Sequence, residues 1–335
     1  MILVTGATGF LGGHLLWHLL QKNEKVVAIC RKSSNMKGLE TLLRFYCSDP
    51  TAVLSRVEWR VADLNDITSI ENSLEGIHIV YHCGAVVSLG GNDTAMLETN
   101  VNGTRNLVNA VLKCEIEQFC FVSSIAACGR EDEATYIDEE SPWLEQKNQS
   151  LYSQSKYYSE QEVWKGIQKG LKAVIVNPGV ILGPFGTDTG SAQLFNQVRK
   201  GLYIYTNGGS GYVDVRDVVK VMIQLVDKQL YGERFVLVGE NCSNKEILCW
   251  IAEAYGKTRP FIPIGAILLY VFGVFAEIIG KIFRFQPFID RGTASFACNR
   301  SYFSNQKITN ALDYHFIPIK QCVQEVCAFD LNTKK

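Results

Sequence analysis

The sequence predicts an α/β fold: a doubly wound parallel sheet with a smaller, mostly helical C-terminal lobe. Three observations carry that reading. Short apolar runs rich in β-branched residues alternate with helical patterns through the first 178 residues. The first run ends in a glycine-rich turn, TGATGFLGG, that opens a helix. After Pro178 the alternation loosens into glycine-rich loops and helices, as expected of a second lobe. Strands joined by crossover helices are covered on both faces, so they read as continuous apolar runs rather than as alternating ones.

The elements follow in order. Ile2–Thr5 is the first strand, followed by a helical pattern over Phe10–Gln21. Lys25–Cys30 is the second, with a short helix at Leu39–Phe45, and Val57–Val61 is the third, with a helix at Ile67–Leu74. Ile77–His82 precedes the long helix Thr94–Lys113, and Gln118–Val122 and Lys172–Val176 flank the helix Leu151–Lys169. One more strand–helix–strand echo lies at 212–239. The nucleotide-binding domain is therefore placed at 1–178 plus about 211–240, and a substrate lobe at about 179–210 plus 241–335.

With 47% hydrophobic and 20% charged residues and a net charge of −1, the chain has no basic excess for nucleic acid. Function must come from a site. The eleven cysteines are scattered, with no Cys-x-x-Cys, and several fall inside strand runs where a thiol packs as a small hydrophobe. Their odd number, and the lack of a signal peptide ahead of the first strand, predict a cytoplasmic protein. His14 and His18 stand one helical turn apart, with no carboxylate or cysteine near at ligand spacing. They read as a partly exposed helix face, and no metal is expected.

The glycines of the first turn each have a task. Gly6 permits the tight turn, Gly9 lets backbone approach a pyrophosphate, and Gly12 lets helix and strand pack closely. The helix opening at Phe10 aims its N-terminal N–H groups at the anion. This is the Rossmann arrangement, with Gly-x-x-Gly-x-x-Gly one residue wider than the usual fingerprint. The second strand ends in AICRKSS, so Arg31 and Lys32 occupy the place where NAD sites usually put an acid. A guanidinium grips a 2′-phosphate that a carboxylate would repel, so NADP(H) is favoured over NAD(H).

In LYSQSKYYSE, residues 151–160, Tyr152 and Lys156 stand four apart. Fourteen tyrosines and twenty lysines in 335 residues supply about 0.8 such pair by chance, so the pair alone proves nothing. Its company decides. Asp63-Leu64 follows the third strand, HCGAVVS (82–88) ends the fourth, NVNGT (100–104) lies in the long helix, and FVSSIAACG (121–129) closes the fifth. Together with the glycine loop, these motifs resemble the extended short-chain dehydrogenase/reductase family, part of the NAD-dependent epimerase/dehydratase superfamily, across most of the first 240 residues. The resemblance implies Ser124, Tyr152 and Lys156 as catalytic residues, with Asn100 supporting them. It also implies a cofactor shell of Gly6, Thr8, Gly9, Phe10, Leu11, Gly12, Asp63, Leu64, Cys83, Gly84, Ala85, Asn100, Val122, Ser123, Pro178, Gly179 and Ile181, with Tyr152 and Lys156 also contacting the cofactor. Ser88, Ile125 and Phe185 are implied on the substrate side. A homodimer through helices 94–113 and 150–169 is implied as well.

Hydride transfer makes or consumes an alkoxide, so a proton must move at the same place. A free tyrosine, with a pKa of about 10, is only about 0.1% ionised at pH 7. A unit charge at about 4 Å in a dielectric of about 20 is worth about 4 kcal/mol, or roughly three pKa units. Lys156 and the oxidised nicotinamide are the expected charges, and Ser124 can hydrogen-bond the carbonyl. Dehydratases of the resembled family carry Asp-Glu after the catalytic Ser or Thr, where Ile125-Ala126 here cannot move protons. The segment VNPGVILGP (176–184) is similar to the dihydroflavonol reductase and 3β-hydroxysteroid dehydrogenase branch. Net redox of a ketone or secondary alcohol on a small, largely apolar substrate is therefore favoured. A nucleotide-sugar epimerase is the first alternative and a non-catalytic dinucleotide sensor the second.

The apolar segment 260–285 falls short of a membrane span: its longest uncharged stretch runs from Phe261 to Ala276, and Glu277 and Lys281 follow. It is expected to roof the pocket, with peripheral membrane contact as the alternative.

Overall fold

The computed structural model describes residues 1–22, 24–86, 94–129, 136–144, 150–187, 190–265, 267–268 and 298–333. Ser88 and most of 261–285 lie outside the described residues. The N-terminal half alternates β1 (Ile2–Thr5), α1 (Phe10–Gln21), β2 (Val26–Cys30), α2 (Lys37–Leu43), α3 (Pro50–Leu54), β3 (Glu58–Val61), α4 (Ile67–Ser73), β4 (Ile79–His82), α5 (Thr94–Lys113), β5 (Gln118–Val122), α6 (Leu151–Gln168) and β6 (Ala173–Pro178). It continues with β7 (Val180–Leu182), α7 (Ala192–Gly201), β8 (Ile204–Thr206), β9 (Gly209–Asp214), α8 (Val215–Asp227) and β10 (Glu233–Leu237). The chain then forms β11 (Glu240–Ser243), α9 (Asn244–Ala254), β12 (Ile262–Ile264), α10 (Gln306–Leu312) and α11 (Ile319–Thr333).

Seven parallel strands form the main sheet in the order β10-β6-β5-β4-β1-β2-β3. The chain winds outward from β1 to β3 and then in the other direction from β4, so the β1/β4 boundary is the switch point at which such sheets bind ligands. The period of two along each strand divides the core. Ile2 and Val4 pack with α1, α2 and α8, while Leu3 packs on the other face with α4, α5 and α6. A second sheet, β11-β9-β7, and a strand pair, β12-β8, belong to the C-terminal part. Their core gathers Leu182, Phe195, Ile247, Ile251, Val323 and Val326 from β7, α7, α9 and α11.

Of the 212–239 echo, α8 and β10 return to the main sheet, where β10 pairs with β6, whereas β9 sits in the second sheet. The helix α3 has no counterpart among the expected elements. Five residues are too few to show a period, although Asp49 caps it by accepting from the Ala52 N–H and Pro50 occupies its first turn. Among the described residues, no helix is long and apolar enough to cross a membrane. The eleven cysteines are free thiols.

Candidate active site

At the carboxyl end of β1 the chain turns through Gly6, whose φ of +67° is costly for any side chain. The Gly9 N–H closes the turn onto the Gly6 carbonyl at 2.9 Å. A Cβ on Gly6 would lie 2.7 Å from the Gly84 backbone, and one on Gly12 would lie 2.2 Å from the Gly6 oxygen. These contacts press the turn against the first turn of α1 and the end of β4, leaving Gly9 exposed above the helix N-terminus. Thr8 is half-buried beside it, Phe10 is the first helical residue and Leu11 is buried below. A loop of this shape, with bare backbone facing out at a helix N-terminus, fits a dinucleotide pyrophosphate.

Around the turn stand the other residues expected from the sequence. Arg31 and Lys32 are exposed just past β2, and the Arg31 N–H donates to Ser34 Oγ at 3.0 Å. Asp63 is exposed after β3, with its Oδ1 accepting from the Asn65 N–H at 2.9 Å. Leu64 packs close to Gly84 and Gly103. Cys83, Gly84 and Ala85 leave β4 next to the Gly6 turn, and the Gly84 N–H donates to Thr5 Oγ1 at 3.0 Å. Thr5 also shares a hydrogen bond of 2.7 Å with His82 Nδ1, and His82 Nε2 reaches Thr104 Oγ1 at 3.1 Å. Thr5, His82 and Thr104 each lie in one of the quoted motifs, but the bonds that join them from β1 through β4 to α5 span 77 and 22 residues and were not expected from the sequence. Burial lowers the His82 pKa to about 3, so the ring is neutral.

Asn100 on α5 is buried and bonds both ways to residue 86: Oδ1 accepts from the Val86 N–H at 2.8 Å and Nδ2 donates to its carbonyl at 2.9 Å. Nδ2 also reaches Ser155 Oγ at 3.3 Å, which ties α5 to α6 beside Lys156. Val122 ends β5, and Ser123 and Ser124 follow, both buried. Ser124 caps one turn of 3-10 helix, Ile125–Ala127, accepting from the Ala126 N–H at 3.1 Å. Ser150 caps α6 by accepting from the Ser153 N–H, and Ser153 Oγ donates to the Ala126 carbonyl. This stitches the start of α6 to the segment after Ser124.

Burial raises the Tyr152 pKa above the ordinary tyrosine value, and the Ser124 hydroxyl pulls against that rise. Lys156 is buried, donates to the Val122 carbonyl at 3.0 Å and stands 5.8 Å from the centroid of the Phe121 ring. Burial lowers its pKa to about 8, partly opposed by Cys83 and Glu160.

Pro178 ends β6 and Gly179 follows, where a Cβ would meet the Gly211 oxygen at 2.4 Å. Ile181 is half-buried in β7. Just beyond, Phe185 stacks on Phe10 at a centroid distance of 4.8 Å, and the Pro184 carbonyl accepts from His14 Nε2 at 3.1 Å. A Cβ on Gly186 would run into the Gly38 carbonyl of α2. Residues 183–187 thus fasten the segment after β7 to α1 and α2. His14 is fully buried, with Nδ1 on Tyr46 Oη at 2.6 Å, rather than on a partly exposed face. Its two ring nitrogens are spent on Tyr46 and Pro184. Among the described residues no group of His, Cys, Asp or Glu side chains could hold a metal ion.

The carboxyl edge of β1, β4, β5 and β6 therefore gathers the glycine cradle, Ser124, Tyr152, Lys156 and the Pro178–Gly179 corner. Such an edge defines a nicotinamide-dinucleotide enzyme of the extended short-chain dehydrogenase/reductase kind. A family model described as the NAD dependent epimerase/dehydratase family matches residues 2–238, and the chain belongs to that family. A Synechocystis sp. protein bearing a provisional dihydroflavonol 4-reductase name is 30% identical, over 96% of this chain and 92% of that one. Sterol demethylase protein B of Methylococcus capsulatus is 32% identical, over 77% of this chain and 75% of its own. The UDP-glucose 4-epimerase of Thermus thermophilus, solved with NAD, shares the fold with a TM-score of 0.74 at 21% identity, covering 98% of each chain.

Proposed function

We propose that the protein is an NADP(H)-preferring oxidoreductase that interconverts a ketone and a secondary alcohol on a small, largely apolar substrate, with Tyr152 as the proton carrier. The observation that carries this reading is the convergence of Ser124, at the end of β5, with Tyr152 and Lys156 on α6, where Lys156 bonds the Val122 carbonyl two residues before Ser124, beside the glycine cradle. The nicotinamide, when bound, supplies or takes the hydride. Tyr152 is protonated at neutral pH, since burial holds its pKa above the usual range, and a protonated phenol is the form that donates to a carbonyl oxygen. Ser124 orients that oxygen and stabilises its growing charge. Lys156, with a pKa of about 8, is mostly an ammonium at pH 7 and can hold ribose hydroxyls. Ile125 and Ala126 offer no acid or base for dehydration, which supports simple redox. The sterol in the name of the Methylococcus relative supports an apolar substrate.

Arg31 and Lys32, exposed at the end of β2, support the 2′-phosphate preference. The reading includes a homodimer through α5 and α6, which sedimentation would test. It also includes peripheral contact with a membrane surface near β12, where Tyr203, Phe261 and Ile262 are exposed; vesicle flotation would test that.

The deciding experiment follows NADPH oxidation against a panel of ketones and aldehydes with wild type and Tyr152→Phe. Turnover is expected to fall by about a hundredfold or more in the variant while NADPH binding holds. Equal turnover in the two would remove the mechanism.

A further inference from the structure

Four residues beyond Lys156 on α6 lies Glu160, only 1% exposed. Its two oxygens have separate duties. Oε2 accepts from the Ser123 hydroxyl at 2.6 Å and from Asn177 Nδ2 at 2.9 Å. Oε1 accepts from Arg234 Nη1 at 3.1 Å and from Trp164 Nε1 at 3.3 Å. Asn177, at the end of β6, also donates to the Ser124 carbonyl at 3.0 Å. Arg234 comes from the neighbouring strand β10 and is itself fixed by donating from Nε to the Glu139 carbonyl at 2.7 Å. The helix that bears Tyr152 and Lys156 is thus bonded through one carboxylate to the strand end that bears Ser124.

The charges around Lys156 point to a second effect of the same carboxylate. From β4 it is faced by His82 and Cys83, from β5 by the Val122 carbonyl and the Phe121 ring, and from its own helix by Glu160. Burial keeps His82 neutral, with a pKa of about 3, and pushes the Cys83 thiol up to about 12, so it is neutral too. Among these groups Glu160 supplies the carboxylate, both of whose oxygens accept hydrogen bonds. A buried ion pair such as Glu160–Arg234 adds little stability compared with apolar packing, so its placement matters more than its strength.

We propose that Glu160 is a positioning residue: it fixes Ser124 against the Tyr152–Lys156 face of α6 and supplies the negative charge that faces Lys156. Asn177 carries the positioning to the Ser124 carbonyl, and Arg234 holds the carboxylate in place. None of the three touches a reacting atom in this assignment.

The proposal rests on the reading that Lys156 holds the cofactor, and its test separates the two. NADPH binding is titrated by fluorescence from pH 6 to 10 in wild type, Lys156→Met and Glu160→Gln, with melting curves to check folding. Wild type is expected to lose affinity through an alkaline limb near 8, where Lys156 deprotonates. Glu160→Gln is expected to move that limb down by roughly one unit, with affinity at pH 6 within about threefold of wild type. Should Glu160→Gln fold poorly, Glu160→Gln with Arg234→Met removes both charges and is expected to show a downward shift of the same sign but smaller size, because Arg234 partly offsets the carboxylate. A limb unmoved in the folded Gln variant, yet lost in Lys156→Met, overturns the role of Glu160 alone. A wild-type limb persisting in Lys156→Met overturns the underlying reading instead. In the reductase assay, Asn177→Ala is expected to lower kcat about tenfold or more with KM for NADPH unchanged. A proportional loss in melting temperature with kcat intact would reduce Asn177 to a structural role.

Discussion

Two adjacent glycines at the start of α1 offer a test of the cofactor cradle in which each controls for the other. A Cβ on Gly12 would lie 2.2 Å from the Gly6 oxygen, 2.7 Å from the Gly6 carbonyl carbon and 2.9 Å from the Ala7 Cα, all backbone. To reach an ordinary contact of 3.4 Å, the turn must retreat by about 1.2 Å. A Cβ on Gly13 would instead meet the Leu39 Cδ1 at 2.7 Å and the Leu42 Cδ1 at 3.3 Å, the tips of side chains that can change rotamer. Forcing an extra carbon into a packed site costs about 1–3 kcal/mol. For Gly12→Ala that cost falls on the turn proposed to hold the pyrophosphate, so a loss of about 5- to 150-fold in NADPH affinity is expected. For Gly13→Ala the cost falls on the packing of α1 against α2, so melting temperature drops while affinity stays within about threefold. Fluorescence titration with NADPH, paired with melting curves, reads both. Equal affinities in the two variants would refute the assignment of Gly12 to the cradle.

Three further outcomes follow from the buried charges and from the exposed pair after β2. His14 and His82, both with pKa lowered by burial to about 3 against 6.5 unfolded, are neutral in the folded chain. Unfolding lets them bind protons, so stability is full above pH 6.5 and falls as pH drops from there toward 3; by pH 5 the pair costs about 4 kcal/mol relative to pH 7. Urea unfolding at the two pH values checks this, and a loss under about 1 kcal/mol would contradict the burial of both rings. Arg216 holds the buried Asp214 by two bonds, at 2.9 and 2.6 Å, and reaches Glu325 on α11 at 2.5 Å. Arg216→Met is expected to cost about 3–5 kcal/mol in urea unfolding, most of it restored by adding Asp214→Asn; a cost without that rescue would place the effect elsewhere. Arg31→Ala is expected to weaken NADPH about tenfold while leaving NADH alone, and parallel changes in the two Kd values would refute a 2′-phosphate contact.

Much of the main sheet was legible because its strands are local signals. Ile2–Thr5 and Gln118–Val122 occupy their expected spans, and most other edges shift by one or two residues where pairing rather than propensity sets them. β6 runs on to Pro178 because β10 lies beside it, with Leu237 opposite Pro178, and that partner is 59 residues away in sequence. The Ser124, Tyr152 and Lys156 group was legible because each residue sits in a short motif and the fold brings the ends of β5 and α6 together. Glu160, Asn177 and Arg234 were not, since the bonds that join them to one another and to Ser123 and Ser124 span 17 to 74 residues. One signal could have raised Glu160: it lies four residues past Lys156, on the same helical face as a residue already singled out. His14 was misjudged for a related reason. Its partners Tyr46 and Pro184 lie 32 and 170 residues away, and a polar ring on an apolar helix gives no hint of them.

The strap at residues 183–187 gives the molecule a seam. With Phe185 stacked on Phe10 and Pro184 bonded to His14, the segment after β7 is riveted to the same helix whose first turn follows the glycine loop. Breaking that fastening, as by Phe185→Ala, would therefore cost order at the first turn of α1 as well as in the segment after β7, since one ring stack serves both.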